Sequence, residues 1–168
     1  MGADSCAGGP ETAVECSPLH VEGFCEPLYQ TPDGLLSAGA DGKLMKVVAK
    51  PGMPAERAWA HRLCDRDALS AAAVSPDGAW LATGQETDAG FGVWVCALDR
   101  STGHRPAALP KLAARFTLPV RHLAWHGPLL GMATDDGKLC LWDREAEASG
   151  DARRPRRREL PLGAGGGG

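Results

Sequence analysis

Histidine and cysteine are the residue types in this 168-residue chain that most readily bind metal ions, and it has five and six of them. His122 and His126 have the i, i+4 spacing of a zinc-binding pair on a helix, but here they flank a strand and its turn, where side chains alternate. The cysteines lie at long intervals without a CxxC pair. We therefore expect no metal and no other cofactor, and we interpret the cysteines as buried, reduced thiols.

Side chains that could act in acid, base or nucleophilic chemistry fall in polar loops and turns. Ser101 stands close to His104, but the surrounding segment offers no setting that would stabilise an oxyanion. Asp41 and Asp136 each precede a glycine, where an aspartate commonly accepts a hydrogen bond from its own backbone. The sequence therefore predicts no catalytic residue and a protein that is not an enzyme.

Charge is unevenly distributed along the chain, whose formal net charge is -3. Acidic residues outnumber basic ones in the first 143 positions, which disfavours a broad nucleic-acid face, so we do not expect DNA contact by the body. The tail contains an arginine cluster typical of nuclear import signals or phosphate contacts: Arg153, Arg154, Arg156, Arg157 and Arg158. We expect a nuclear protein, or otherwise a cytoplasmic one. No apolar run approaches the roughly 20 residues of a membrane helix.

The most regular stretch of the chain lies near its end. Asp136-Gly137 predicts a tight turn, and the next residues alternate so that Leu139 and Leu141 share one side of a strand. The run closes on Trp142-Asp143, the dipeptide that ends a WD repeat. This ending therefore predicts an antiparallel strand pair of the WD-repeat kind.

The same plan occurs three times. The tetrapeptide Asp-Gly-Lys-Leu stands at both 41–44 and 136–139, and Gly42, Gly90 and Gly137 follow one another at nearly equal intervals. Those intervals are slightly longer than the WD-repeat period of about 40 to 45 residues. We divide the chain into a flexible leader, three copies and a disordered tail rich in arginine and glycine: 1–18, 19–50, 57–99, 112–143 and 144–168.

The predicted fold is all-β: about three WD40-type, four-stranded antiparallel blades of an incomplete β-propeller, with disordered termini. A closed ring of blades typically has about four to eight members. Three blades alone would leave apolar faces and strand edges uncovered. We therefore expect a fragment of a longer propeller, or else self-association or completion by another chain.

The stretch from Arg115 to Gly137 resembles a particular family of propellers. It is similar to the N-terminal propeller of the replisome adaptors called chromosome transmission fidelity protein or acidic nucleoplasmic DNA-binding protein, over about residues 20–143. The matching residues are Arg115, Phe116, Thr117, Leu118, Pro119, Arg121, Leu123, Ala124, Asp135, Asp136 and Gly137. The resemblance implies a scaffold for DNA replication whose partners are replication or chromatin factors.

Residues on the loop faces are the candidates for protein binding. Gln85 and Glu86 begin a longer loop predicted over 85–90, and Arg121 belongs to the family-like segment. Trp59 stands in a predicted outer strand and, unlike the other tryptophans, occupies no repeated position. An alternative that fits the same repeats is a WD-repeat subunit of another assembly, such as a ubiquitin-ligase receptor or a transport scaffold.

Overall fold

The computed structural model describes residues 25–48, 50, 52–64, 69–149 and 157–161. Within these ranges the chain forms three antiparallel sheets, one after another in sequence, with two short helical segments. The predicted leader, residues 1–18, lies outside the described residues. No helix in the described part of the chain is long and apolar enough to cross a membrane.

The first sheet is a simple meander. Its strands, in spatial and sequence order, are β1 (Cys25–Thr31), β2 (Gly34–Gly39), β3 (Lys43–Val48) and β4 (Glu56–Arg62). The turn between β1 and β2 is closed by the Thr31 hydroxyl, which donates to Asp33 Oδ1 at 2.9 Å. Asp41 Oδ1 accepts from the backbone N–H of Lys43 at 3.3 Å, as the sequence predicts for a turn aspartate.

The second sheet repeats this plan with a longer connection to its last strand. It contains β5 (Leu69–Val74), β6 (Trp80–Thr87), β7 (Gly90–Asp99), the two-residue β8 (Arg105–Pro106) and β9 (Lys111–Phe116). A 3-10 turn, Arg100–Thr102, follows β7. The predicted loop over 85–90 is wrong: β6 runs to Thr87, which pairs with Gly90, and the φ of 102° at Gly90 allows the chain to reverse there.

The third sheet ends in a part of the chain for which the sequence predicted no structure. Its strands are β10 (Val120–His126), β11 (Leu129–Thr134), β12 (Lys138–Asp143) and β13 (Arg157–Pro161), with helix α1 (Arg144–Ser149) between the last two. The Asp143 carboxylate accepts from the backbone N–H of Glu145 and of Ala146, which caps α1. Trp142-Asp143 therefore ends one strand and starts a helix, and the tail 144–168 differs from the expected disorder at α1 and β13.

The first and second sheets each take their outer strand from the start of the next sequence copy. β4 pairs with β3 and β9 pairs with β7, so these strands close the first and second sheets. The sequence copies 57–99 and 112–143 begin with these same strands. Sheets and copies are therefore offset by one strand, because an outer strand hydrogen-bonds to the strand before it.

The core consists of two layers, one on each side of the second sheet. Between the first and second sheets lie buried residues including Leu36, Leu44 and Leu81; between the second and third lie Val93 and Leu130, with others. Neighbouring residues on β6 and β7 face opposite layers, so the second sheet is covered on both faces. Consecutive four-stranded meanders stacked face to face are the architecture of β-propeller blades, which confirms the predicted fold class.

The buried cysteines confirm the interpretation as structural thiols where the structure describes them. Cys96 and Cys140 are buried and Cys64 is half-buried, and each of the three carries a thiol and not a disulfide. Burial raises the pKa of Cys96 to about 11, so this thiol stays protonated at neutral pH. Cys6 and Cys16 lie outside the described residues.

Candidate functional site

One end of the three sheets gathers the tight turns and the connections between sheets. The turns from the second to the third strand of each sheet contain Gly42, Gly90 and Gly137, with φ of 73°, 102° and 74°. Arg62 at the end of β4 pairs with Lys43, and Phe116 at the end of β9 pairs with Phe91. The chain therefore leaves each outer strand at the same end as these turns, which we call the turn end.

Two clefts open at the turn end among the described residues, each between neighbouring sheets. Cleft A, between the first and second sheets, has a volume of about 530 Å³. Cleft B, between the second and third sheets, has a volume of about 180 Å³. Cleft A is lined by His61, Arg62, Leu63, Cys64, Gln85, Glu86, Thr87, Asp88, Trp94, Leu109 and Pro110. Both clefts combine the end of one outer strand with the tight turn of the next sheet.

The floor of cleft A is held in place by close packing. The Trp94 indole is half-buried, and a side chain on Gly92 would come within 2.7 Å of it, so glycine leaves room for the ring to lie back along β7. Gln85 is buried, and its Nε2 donates to Thr83 Oγ1 at 2.8 Å. Leu109 stands at the rim with 88% of its surface exposed. Cleft A therefore offers a fixed aromatic surface beside an exposed apolar side chain.

The walls of cleft A carry opposite charges. The exposed residues Glu86 and Asp88 belong to the turn of the second sheet, and the exposed residues His61 and Arg62 belong to the end of β4. A bound chain with charged side chains would therefore find complementary groups on both sides. Such complementarity favours one orientation of the bound chain over the reverse.

Cleft B lies beside an ion pair that is open to solvent. The Arg121 guanidinium donates two hydrogen bonds to the Asp135 carboxylate, at 2.7 and 2.9 Å. This contact holds the pKa of Asp135 below its usual value. The side chains are 55% and 39% exposed, so solvent screens the attraction and the pair contributes little to stability. At the adjacent turn Lys138, 2.6 Å from Asp136, lowers the pKa of that carboxylate, with help from the Thr134 hydroxyl.

The structure separates the four residues predicted to bind proteins. It brings Gln85 and Glu86 together in cleft A and places Arg121 beside cleft B, at the same end of the sheets. Trp59 lines neither cleft: it is half-buried against the core between the first two sheets, with the Arg105 guanidinium 5.6 Å from its ring centre. Three of the four therefore lie at the turn end.

The arginine cluster falls partly outside the described residues. Arg153, Arg154 and Arg156 lie beyond the described ranges, whereas Arg157 and Arg158 form part of β13 and pair with Trp142 and Leu141. Nuclear targeting by this cluster stays a prediction.

Cleft A also contains residues that the sequence did not indicate. Trp94 and Leu109 are distant in sequence from His61 and Arg62, and nothing in the repeats marks them as neighbours. The signal available in the sequence was the antiparallel strand order. This order brings the ends of the outer strands β4 and β9 to the tight turn of the sheet that follows.

His122 and His126 both lie exposed on β10, where their partners across the sheet are Ala133 and Leu129. Four strand residues span about 13 Å, so the two imidazoles are too far apart to bind one ion. Among the described residues, no group of three or more histidine, cysteine or acidic side chains could hold a metal ion.

A buried polar cluster lies at the end opposite the clefts. Lys46 is buried, and its ammonium group is 2.9 Å from Asp33 Oδ1. His104, in the turn that follows β7, is buried at a φ of 68°. The centre of its ring lies 5.4 Å from that of Tyr29, and the two ring planes are tilted by 46°. Burial lowers the pKa of His104, and the nearby charges of Lys46 and Arg100 lower it further. The cluster ties the first sheet to the second.

Comparison with known proteins gives structural matches alone. No protein-family model and no curated protein matches the chain. Similar solved structures include Sqt1 of Chaetomium thermophilum bound to the N-terminus of the ribosomal protein L10, at 23% identity and a TM-score of 0.46, over 74% of this chain and 33% of that one. Another is BamB from Moraxella catarrhalis, at 14% identity and a TM-score of 0.43, over 74% of this chain and 35% of that one. The chain spans about a third of the length of each.

Proposed function

We propose that this chain is a non-enzymatic protein-interaction module of the WD-repeat type, and that cleft A binds a peptide segment of its partner. The observation that carries the proposal is the make-up of this cleft of about 530 Å³. It combines an aromatic floor, an exposed leucine and two walls of opposite charge. Peptide segments are commonly recognised by an apolar anchor in a pocket, with polar and charged groups around it.

The two kinds of contact in cleft A do different work. An apolar side chain of the partner packs on Trp94 and covers Leu109, and fully burying a leucine contributes about 1.5 to 3 kcal/mol. Charged side chains of the partner meet Glu86 and Asp88 on one wall and Arg62 on the other. The apolar contact supplies most of the affinity, and the charges select the direction of the bound peptide.

For the class of partner, the sequence resemblance favours replication or chromatin factors. The segment from Arg115 to Trp125 supports it, and the cluster from Arg153 to Arg158 supports a nuclear location. A WD-repeat subunit of another assembly, such as a ubiquitin-ligase receptor or a transport scaffold, is the alternative. These two functions predict different partner proteins, which an affinity-capture experiment would distinguish.

Affinity capture with the full-length chain, followed by mass spectrometry, tests the proposal. We expect replication or chromatin proteins to be enriched, and we expect the double variant Glu86→Lys/Leu109→Asp to lose them, because it removes an exposed charge and an exposed anchor without touching the core. The matched control is Leu118→Asp, which alters an exposed leucine beside cleft B. Capture of the same proteins by the cleft A variant would refute binding there.

The location is tested separately with a fluorescent fusion in which the five tail arginines are replaced by alanine. We expect the fusion to move from the nucleus to the cytoplasm. An unchanged distribution would reject the cluster as an import signal while leaving the binding proposal intact.

A further inference from the structure

The contact between the first and second sheets has two ends of different character. At the turn end the sheets part to form cleft A, with the end of β4 on one wall and the turn between β6 and β7 on the other. Buried apolar side chains, among them Leu36, Leu44 and Leu81, fill the middle. The opposite end is closed by the polar cluster around Lys46 and His104. The spacing of the walls of cleft A therefore depends on how the two sheets are held at this opposite end.

Tyr29 and Lys46 bring the first sheet against the second at the opposite end. A side chain on Gly78 would come within 2.8 Å of the Tyr29 ring, whose centre lies 5.4 Å from that of His104. A side chain on Gly103 would begin 3.2 Å from the Lys46 ammonium group. Gly103 and His104 are neighbours in the turn that follows β7, so this turn carries much of the contact with the first sheet.

The turn that follows β7 is fixed by its own hydrogen bonds. The Asp99 carboxylate accepts from the Ser101 backbone N–H at 2.9 Å and from the Ser101 hydroxyl at 2.7 Å. The backbone N–H of His104 donates to the Asp99 carbonyl oxygen at 2.8 Å. Because the backbone cannot shift without breaking these bonds, a repulsion at the His104 imidazole acts on the side chains of the first sheet that lie beside it.

The surroundings of His104 favour a neutral imidazole. The residue is 8% exposed, and its Nδ1 atom has no hydrogen-bond partner among the described residues. Two cations lie close to the ring, Lys46 from β3 and Arg100 from the 3-10 turn. Asp33, in the turn before β2, and Tyr29 on β1 are the other described titratable groups there. A proton on His104 would therefore place a buried charge beside a buried ammonium group, with an N–H that lacks an acceptor.

The Asp33 carboxylate is already engaged and compensates such a charge poorly. Its Oδ1 atom lies 2.9 Å from the Lys46 ammonium group and accepts from the Thr31 hydroxyl at 2.9 Å. These contacts hold the pKa of Asp33 below its usual value, so the carboxylate stays charged in mildly acidic solution. Its side chain is 54% exposed, so solvent screens its attraction for a more distant cation. Protonation of His104 therefore adds net positive charge to the contact between the sheets.

We propose that His104 is a pH-sensitive latch on cleft A: its protonation detaches Tyr29 and Lys46 from the turn after β7, shifts the first sheet against the second, and so weakens peptide binding. The latch is closed when the imidazole is neutral. The effect on peptide binding rests on the proposed function of cleft A, whereas the movement of the first sheet does not.

Hydrogen exchange of the full-length chain, read by mass spectrometry, tests the latch without any partner. Rates are compared at about pH 7.5 and about pH 5.5, on either side of the ordinary histidine pKa of about 6.5, after correction for the intrinsic effect of pH. We expect the opening equilibrium of β1 and β2 to rise on acidification, by at most about tenfold for one proton taken up over one pH unit. The amides of β11 and β12 in the third sheet should show no such rise.

Two variants assign the rise to His104. His104→Asn tolerates the positive φ and cannot be protonated, so its β1 and β2 amides should show no rise. Lys46→Met removes the repelling ammonium group and leaves Asp33 able to pair with the charged imidazole, so acidification should no longer open the first sheet. Circular dichroism at the higher pH establishes that both variants are folded. No rise in the wild type, or an equal rise in His104→Asn, would overturn the latch.

The coupling to cleft A is tested with the proteins that the full-length chain captures at the higher pH. We expect a wash at the lower pH to release them from the wild type and not from His104→Asn. The matched control is His61→Asn, which alters an exposed histidine on the wall of cleft A and should release them as the wild type does. Release that persists in His104→Asn would overturn the coupling. Capture that the Glu86→Lys/Leu109→Asp variant retains would instead refute binding in cleft A, and the exchange measurement would still decide whether the latch exists.

Discussion

Two glycines with similar backbones but different surroundings allow the packing between the first and second sheets to be measured. Gly78 lies in the turn between β5 and β6 at a φ of 68°, and Gly127 lies in the turn between β10 and β11 at a φ of 55°. A side chain on Gly78 would come within 2.8 Å of the Tyr29 ring, whereas one on Gly127 would meet nothing within 4 Å. The Gly78→Ala and Gly127→Ala variants therefore differ mainly in this one contact.

Both alanine variants force a residue with a Cβ into the left-handed region, which costs about 1 to 2 kcal/mol. Gly78→Ala must also displace the Tyr29 ring, which packs on the core and on His104, and overpacking of this kind costs about 1 to 3 kcal/mol more. We expect the free energy of unfolding to fall by roughly 2 to 5 kcal/mol for Gly78→Ala, against the smaller loss for Gly127→Ala.

Urea unfolding at one fixed protein concentration measures both losses, provided that the slope m is unchanged. A Tyr29→Ala background supplies the decisive control: without the ring, Gly78→Ala should lose no more than Gly127→Ala, and the difference is the coupling energy of a double-mutant cycle. Equal losses for the two glycines in the wild-type background would refute the close approach of Tyr29 to the second sheet.

Three further predictions concern titration and capping. Burial, and next the charge of Lys46, lower the pKa of His104 in the folded chain, so the unfolded chain binds a proton more readily. The stability present above the unfolded pKa of about 6.5 is therefore lost as the pH falls below it. His104→Asn, which tolerates the positive φ, should reduce the drop in melting temperature on acidification. The Ser75 hydroxyl donates a hydrogen bond to Asp77 and lowers the pKa of this carboxylate. The contribution of Asp77 to the free energy of unfolding is therefore present above about pH 3.9 and is lost as the pH falls through the lowered pKa. Asp77→Asn should weaken the acid dependence of the unfolding midpoint. Asp143→Ala removes the cap of α1 and should cost about 1 kcal/mol in urea unfolding.

Much of the fold could be predicted from the sequence because turns and alternation are local signals. The glycines at 42, 90 and 137 all lie in tight turns with positive φ, and both β3 and β12 begin at the lysine that follows the repeated Asp-Gly pair. The sheet to which each outer strand pairs could not be predicted from such local signals. β4 and β9 hydrogen-bond to the strand before them, which depends on sheet register and not on any local pattern.

The end of the chain shows why composition can mislead. Arginine, glycine and proline dominate residues 150–168, yet β13 adds a fourth strand to the third sheet by pairing with β12. The edge of β12 provides backbone groups that almost any sequence can pair with, so a short strand needs little apolar pattern of its own. α1 is similarly decided by the cap at Asp143.

The candidate site was predictable only in part. The prediction for Gln85 and Glu86 rests on a predicted loop and that for Arg121 on the family-like segment, and all three residues lie at the turn end. Trp94 and Leu109 could not be assigned to the same cleft, because their proximity to His61 and Arg62 depends on how two sheets stack. Trp59 stood out for its lack of a repeated position, but the structure places it against the core.

Burial of the second sheet on both faces has a consequence for how the protein folds. Neither β6 nor β7 can complete its packing until both neighbouring sheets have formed. The backbone amides of these central strands should therefore exchange with solvent only through global unfolding. In repeat proteins stability is approximately a sum of each unit and its contacts with its neighbours. Local opening should therefore begin at β1 or β13, and the backbone amides of β6 and β7 should be the last to exchange with deuterium.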